Sequence, residues 1–176
     1  MHKVLFLAAA VLLSGCAAKV TSESARGPVP VYSDARSNLV VVFKGDQRVE
    51  ANEKWPLLRT EWQEALRMYG QAKGLNVLTA KPAGPATVAT IQVTNFRYLT
   101  TGQRYSFGSM SGNAWVNSRV SYSDATTGEA LASRTYDTSS SAWEGVFSAM
   151  TSDQLKELSK TIIDDVTTNA QVKPRR

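Results

Sequence analysis

The chain has 176 residues, 20 lysines and arginines against 15 aspartates and glutamates, one histidine and one cysteine, for a formal net charge of +5. His2 and Cys16 both stand at the N-terminal end, so the remainder carries neither imidazole nor thiol, which excludes Ser-His and Cys-His nucleophilic pairs, imidazole bases and histidine-ligated metals. No lysine follows a serine by three places, and no acidic pair stands in a recognisable motif, so the sequence points to no catalytic residue, no metal and no cofactor.

Met1, His2 and Lys3 make a short positive end, followed by ten apolar residues from Val4 to Leu13. Such a run is too short to span a bilayer and reads as a secretory signal. Next come Leu13, Ser14, Gly15 and Cys16. A leucine, two small residues and a cysteine behind an apolar run resemble the lipobox of bacterial lipoproteins. That resemblance implies removal of residues 1–15, a diacylglycerol on the Cys16 sulfur and acylation of the new amine. Two or three acyl chains make anchoring stable where one does not. Position 17 is Ala, whereas inner-membrane lipoproteins commonly carry Asp there. In a Gram-negative cell the expected address is therefore the periplasmic face of the outer membrane. Loss of Lys3 lowers the net charge to about +4.

Residues 16–37 are small and polar, with two prolines, and read as the lipidated cysteine and a flexible tether whose reach is about 25 Å. Val29 and Val31, alternating around Pro30, leave room for a short edge strand. The folded domain is expected over residues 38–170. Its first element is NLVVVF, Asn38 to Phe43, an apolar β-branched run suited to a buried strand. Leu58, Trp62, Ala65, Tyr69 and Ala72 then recur at helical spacing, with Pro56 suited to a first turn and Gly74 to a C-terminal cap.

Leu75 to Leu78 fits a short strand, and KPAGPA forces a loop. From Thr87 to Thr100 the sequence alternates, with Ala89, Ile91 and Val93 on one face of a half-exposed strand. The following TGQRYSFGSMSGNA is glycine-rich but lacks the G-x-x-x-x-G-K spacing of a phosphate loop, and reads as a hairpin connection or a binding loop. Ala114 to Tyr136 forms a hairpin whose turn chemistry comes from Asp124 and Gly128. On its first strand Ala114, Val116, Val120 and Tyr122 share a face.

Trp143, Val146, Phe147 and Met150 are spaced i, i+3, i+4, i+7. They form either a plug over the core or a candidate partner patch. Leu155, Leu158, Ile162 and Val166 mark a final amphipathic helix, with Thr151 and Gln154 at capping-box spacing and Asp164 and Asp165 at a solvated end. Residues 171–176 read as a frayed basic tail.

The expected architecture is α+β, a mainly antiparallel four- or five-stranded sheet with two helices packed on one face. The layout of lipobox, polar segment and this element order resembles families of small uncharacterised outer-membrane lipoproteins and carries over no functional residue. Two function classes remain. The first is a lipid-anchored, non-catalytic envelope module that binds the membrane through its acyl chains and an envelope protein through its surface, without nucleic acid. The alternative is a carboxylate-dependent envelope enzyme acting on glycan or peptidoglycan.

Overall fold

A computed structural model describes residues 19–21, 28–100, 102, 113–139 and 151–175. In chain order the elements are β1 (Lys19–Thr21), β2 (Pro30–Tyr32), β3 (Asn38–Lys44), α1 (Gln47–Glu50), α2 (Trp55–Ala72), β4 (Asn76–Leu78), β5 (Thr87–Arg97), β6 (Trp115–Asp124), β7 (Ala130–Ser139), α3 (Thr151–Val166) and β8 (Gln171–Lys173). Six strands form one sheet in the order β1-β7-β6-β5-β3-β4, and β2 pairs with β8 in a second, two-stranded sheet.

The class is α+β, as the sequence implies, but the main sheet is mixed. The pairings β1–β7, β7–β6 and β6–β5 are antiparallel, whereas β3 is parallel to both β4 and β5. Parallel neighbours need a long crossover. The 18-residue α2 supplies one between β3 and β4. The sixth strand, β1, comes from residues that composition alone assigns to a tether.

One face of the sheet carries the core. Leu39 and Val41 of β3, Ala89, Ile91 and Val93 of β5, Val116, Val120 and Tyr122 of β6, and Tyr136 of β7 are buried in one cluster with the apolar sides of α2 and α3. The register of β5 against β6 shifts between Val93 and Asn95, which marks a bulge. Strict alternation after Val93 would turn Phe96 outward; the extra residue returns it to the core, 6.2 Å from the Trp55 ring.

Helix α2 buries Trp55, Leu58, Trp62, Ala65, Leu66 and Gly70. Tyr69 is half-buried and Ala72 exposed, so the buried stripe lies further toward Leu66 than the Leu58-to-Ala72 spacing suggests. The reason is Gly70, where a Cβ would stand 2.5 Å from Val77 Cγ2 and 3.0 Å from the Leu75 carbonyl. Without a side chain there, β4 can lie directly against the helix. The chain leaves α2 through Gly74, at φ +70°, with Gly74 N–H donating to the Gln71 carbonyl and Leu75 N–H to the Gly70 carbonyl. This is a Schellman ending.

Helix α3 begins differently from its capping-box spacing. Thr151 Oγ1 accepts from Leu99 N–H at 2.8 Å, and Gln154 Nε2 donates to the Ala114 carbonyl at 3.0 Å. Both side chains are buried and tie the helix to strand ends, because its first turn abuts β5 and β6 where water would otherwise satisfy them.

Three assignments at the chain ends change. Val29, Val31 and Ala35 are buried, so residues 28–37 belong to the domain and are no tether. Residues 171–173 pair with β2 in parallel, so the tail is a strand there. Asp165 is buried, whereas Asp164 meets Lys73 at 2.9 Å. Cys16 and the cluster of Trp143, Val146, Phe147 and Met150 lie outside the described residues.

Candidate functional site

A cluster of charged residues lies where the β6–β7 turn meets β8 and the residues that follow it. Asp124 closes β6, and its Oδ1 accepts from Thr126 N–H, Thr127 N–H and Thr127 Oγ1 at 3.0, 2.8 and 3.0 Å. This is the turn chemistry that Asp124 and Gly128 (φ +75°) announce in the sequence. Strand β8 then brings Arg175 over the same carboxylate, with Nη1 and Nη2 donating to its two oxygens at 3.1 and 2.7 Å. Arg175 Nε also donates to Asp34 at 2.7 Å.

Tyr32 of β2 lies under two cations, with Lys173 Nζ and Arg175 Cζ each 4.4 Å from its ring centroid. Its hydroxyl donates to Glu129, which also meets Lys173 at 3.1 Å. Lys173 and Arg175 are thus engaged by Asp34, Asp124, Glu129 and Tyr32, an electrostatic clasp that closes the two-stranded sheet on the hairpin. The sequence offered no local signal for this, since Arg175 and Asp34 are 141 residues apart.

The clasp has a pH signature. The Arg175 guanidinium, helped by the Thr127 donors, holds the Asp124 carboxyl well below the usual carboxylate range against the opposing effect of burial. An aspartate in the unfolded chain titrates near 3.9. Because the folded value lies below the unfolded one, the stabilisation is fully present above about pH 5 and is lost as pH falls toward the folded value. Arg175→Met should therefore lower the unfolding midpoint at neutral pH, and its difference from wild type should shrink between about pH 5 and about pH 2. Thermal unfolding across that range measures it; parallel curves for the two proteins would contradict the assignment.

A second cluster is wholly internal. Tyr122 and Tyr136 share a hydrogen bond of 2.9 Å between hydroxyls, and Tyr136 donates to Asp165, which Arg134 approaches to 3.4 Å. Burial pushes both phenols up, and the Asp165 charge acts in the same direction. They remain proton donors buried inside the sheet-helix layer.

The outer face of the sheet carries a polar groove of about 440 Å³ above the β5 bulge, lined by Gln92, Asn95, Asn117, Arg119, Thr135 and Asp137 among others. Among the described residues that line it, Asp137 is the one carboxylate. Glycoside hydrolysis asks for two carboxyl groups facing each other across the substrate. The buried carboxylates Asp124 and Asp165 are each taken by an arginine, and among the described residues no group of three potential ligands could hold a metal ion.

No family model and no curated protein matches the chain. The fold is similar to that of PelC from Paraburkholderia phytofirmans, a dodecamer, at 17% identity and a TM-score of 0.53, over 87% of this chain and 99% of that one. A second crystal form of a PelC dodecamer from the same organism gives a TM-score of 0.51 over the same shares. A crystal structure of an uncharacterized protein matches at 12% identity and a TM-score of 0.52, over 80% of this chain and 99% of that chain. At these identities the likeness is one of fold.

Proposed function

We propose that this chain is a lipid-anchored, non-catalytic module of the bacterial cell envelope that works by assembling with protein, including further copies of itself. The observation that carries the anchor is the run Leu13-Ser14-Gly15-Cys16 behind ten apolar residues. Support for assembly comes from the fold, shared over nearly the whole of its relative with PelC, which is a dodecamer. In a Gram-negative cell the module sits on the periplasmic face of the outer membrane. Binding is preferred to carboxylate hydrolysis because, among the described residues, the outer groove is lined by a single carboxylate and the buried ones are engaged by arginines.

Expression of the full chain and of Cys16→Ser tests this reading. The wild type is expected in the membrane fraction, incorporating labelled fatty acid and migrating as a multimer in mild detergent by light scattering. Cys16→Ser is expected to lose the label and leave the membrane fraction. Unchanged labelling in the variant defeats the anchor, and a monomer at every concentration, with nothing co-purifying, defeats the assembly.

A further inference from the structure

The chain enters the sheet almost at once after the lipobox. Strand β1 begins at Lys19, three residues beyond Cys16. Three residues of extended chain reach about 11 Å at most. A cysteine held in the lipid therefore keeps the first residue of β1 within about that distance of the bilayer surface, less than half the reach expected of a tether running to residue 37.

The register identifies which part of the domain this is. Lys19 lies opposite Ser139, Ser139 opposite Trp115, and Trp115 opposite Arg97, a single row across β1, β7, β6 and β5. Helix α3 starts beside this row, where Thr151 Oγ1 accepts from Leu99 N–H. Helix α2 starts there as well, with Trp55 against Phe96. Exposed arginines border it: Arg97 stacks over the Trp115 ring at 5.6 Å and Arg59 over the Trp55 ring at 5.7 Å. The half-buried Trp115 beside an exposed arginine suits a lipid headgroup layer, where amphipathic rings concentrate and cationic groups meet phosphate.

The other end of the sheet lies far away. Strand β6 runs ten residues from Trp115 to Asp124, about 30 Å at 3.3 Å per residue. At that end stand the β6–β7 turn and the clasp of Asp124, Arg175 and Tyr32.

We infer that the domain rests on the phospholipid surface by the end bearing Arg97 and Trp115, held there in one orientation by the short segment between Cys16 and β1, with the clasp turned away from the membrane. The inference rests on the reading of Cys16 as lipidated. It makes the C-terminal basic residues a feature of the far side rather than a second contact with lipid.

The test uses the full chain with its acyl groups, reconstituted in vesicles of phosphatidylethanolamine and phosphatidylglycerol that carry an acceptor dye on a fraction of the headgroups. Acylation consumes the one native thiol, so a single introduced cysteine takes the donor dye. Asn113→Cys lies at the β1 end and Thr126→Cys at the far turn, and both positions are exposed. Energy transfer from position 113 is expected to exceed that from position 126 severalfold. Insertion of ten Gly/Ser residues between Ala18 and Lys19 should bring the two values together. Protein that floats with the vesicles but transfers equally from both positions overturns the orientation alone, and a difference that survives the insertion overturns the short segment as its cause. Protein that does not float overturns the anchor and this inference together.

Discussion

Replacing Asp165 with alanine is expected to destabilise the domain by about 3 to 5 kcal/mol, the range for breaking a buried ion pair from one side. The side chain sits near the end of α3 with little exposure, accepting from Tyr136 and facing Arg134, whose own side chain is 11% exposed. Its removal leaves a largely buried guanidinium without this counter-charge and the Tyr136 hydroxyl one acceptor short. Tyr122, bonded to Tyr136, is then drawn into the same loss. Asp165→Asn should do less harm, because the amide oxygen can still accept from Tyr136 while only the charge is gone. Urea unfolding of the two variants measures both. A loss in Asp165→Ala below about 1 kcal/mol, the level of an exposed ion pair, would return Asp165 to the solvated helix end that its sequence position suggests.

Trp62→Ala should cost a similar amount, about 3 to 5 kcal/mol, from the range for aromatic truncation in a core. Trp62 is fully buried at the centre of the α2 stripe, with its ring 5.5 Å from that of Phe43. Against a total stability of about 5 to 15 kcal/mol, this change threatens folding at physiological temperature. Trp62→Phe makes the informative contrast. The indole Nε1 is buried with no hydrogen-bond partner among the described residues, so phenylalanine removes volume but also a desolvated donor. The smaller ring is expected to cost less than half of what alanine does. Calorimetric midpoints separate the cases, and equal destabilisation by alanine and phenylalanine would mean that the indole nitrogen has a partner after all.

These two sites differ in how far the sequence announces them. Trp62 lies in a helical stripe with Leu58 and Ala65, and the structure buries it as that spacing implies. The β-branched run from Asn38, the alternation through Ala89, Ile91 and Val93, and the Asp124–Gly128 turn are local signals of the same kind. Asp165 has none. Its neighbour Asp164 is chemically identical and partly exposed, and only the arrival of Tyr136 and Arg134 from the hairpin distinguishes the two. The same holds for Val29 and Val31, set among small and polar residues, and for Val172, between Gln171 and Lys173. Strands β2 and β8 pair residues about 140 apart in the chain, and each strand is three residues long, so neither carries a periodicity long enough to be read alone.

Gly70 marks an intermediate case. A glycine inside a helix weakens the assignment locally, yet it is what lets β4 approach α2, and its meaning appears only once Val77 is seen against it. The parallel β3–β4 pair is compatible with the helix because of that approach. An antiparallel reading was natural for strands read singly, because the crossover geometry belongs to α2 and β4 together.

The anchor and the orientation of the domain both begin at one atom, the Cys16 sulfur. The decisive measurement is mass spectrometry of the N-terminal peptide from protein extracted out of membranes. It should begin at Cys16, with residues 1–15 gone, and carry the added mass of a diacylglycerol on sulfur, with or without a further acyl group on the amine. A peptide that retains residues 1–15, or one that begins elsewhere and bears an unmodified thiol, would contradict the lipoprotein reading and with it the membrane-facing end of the domain.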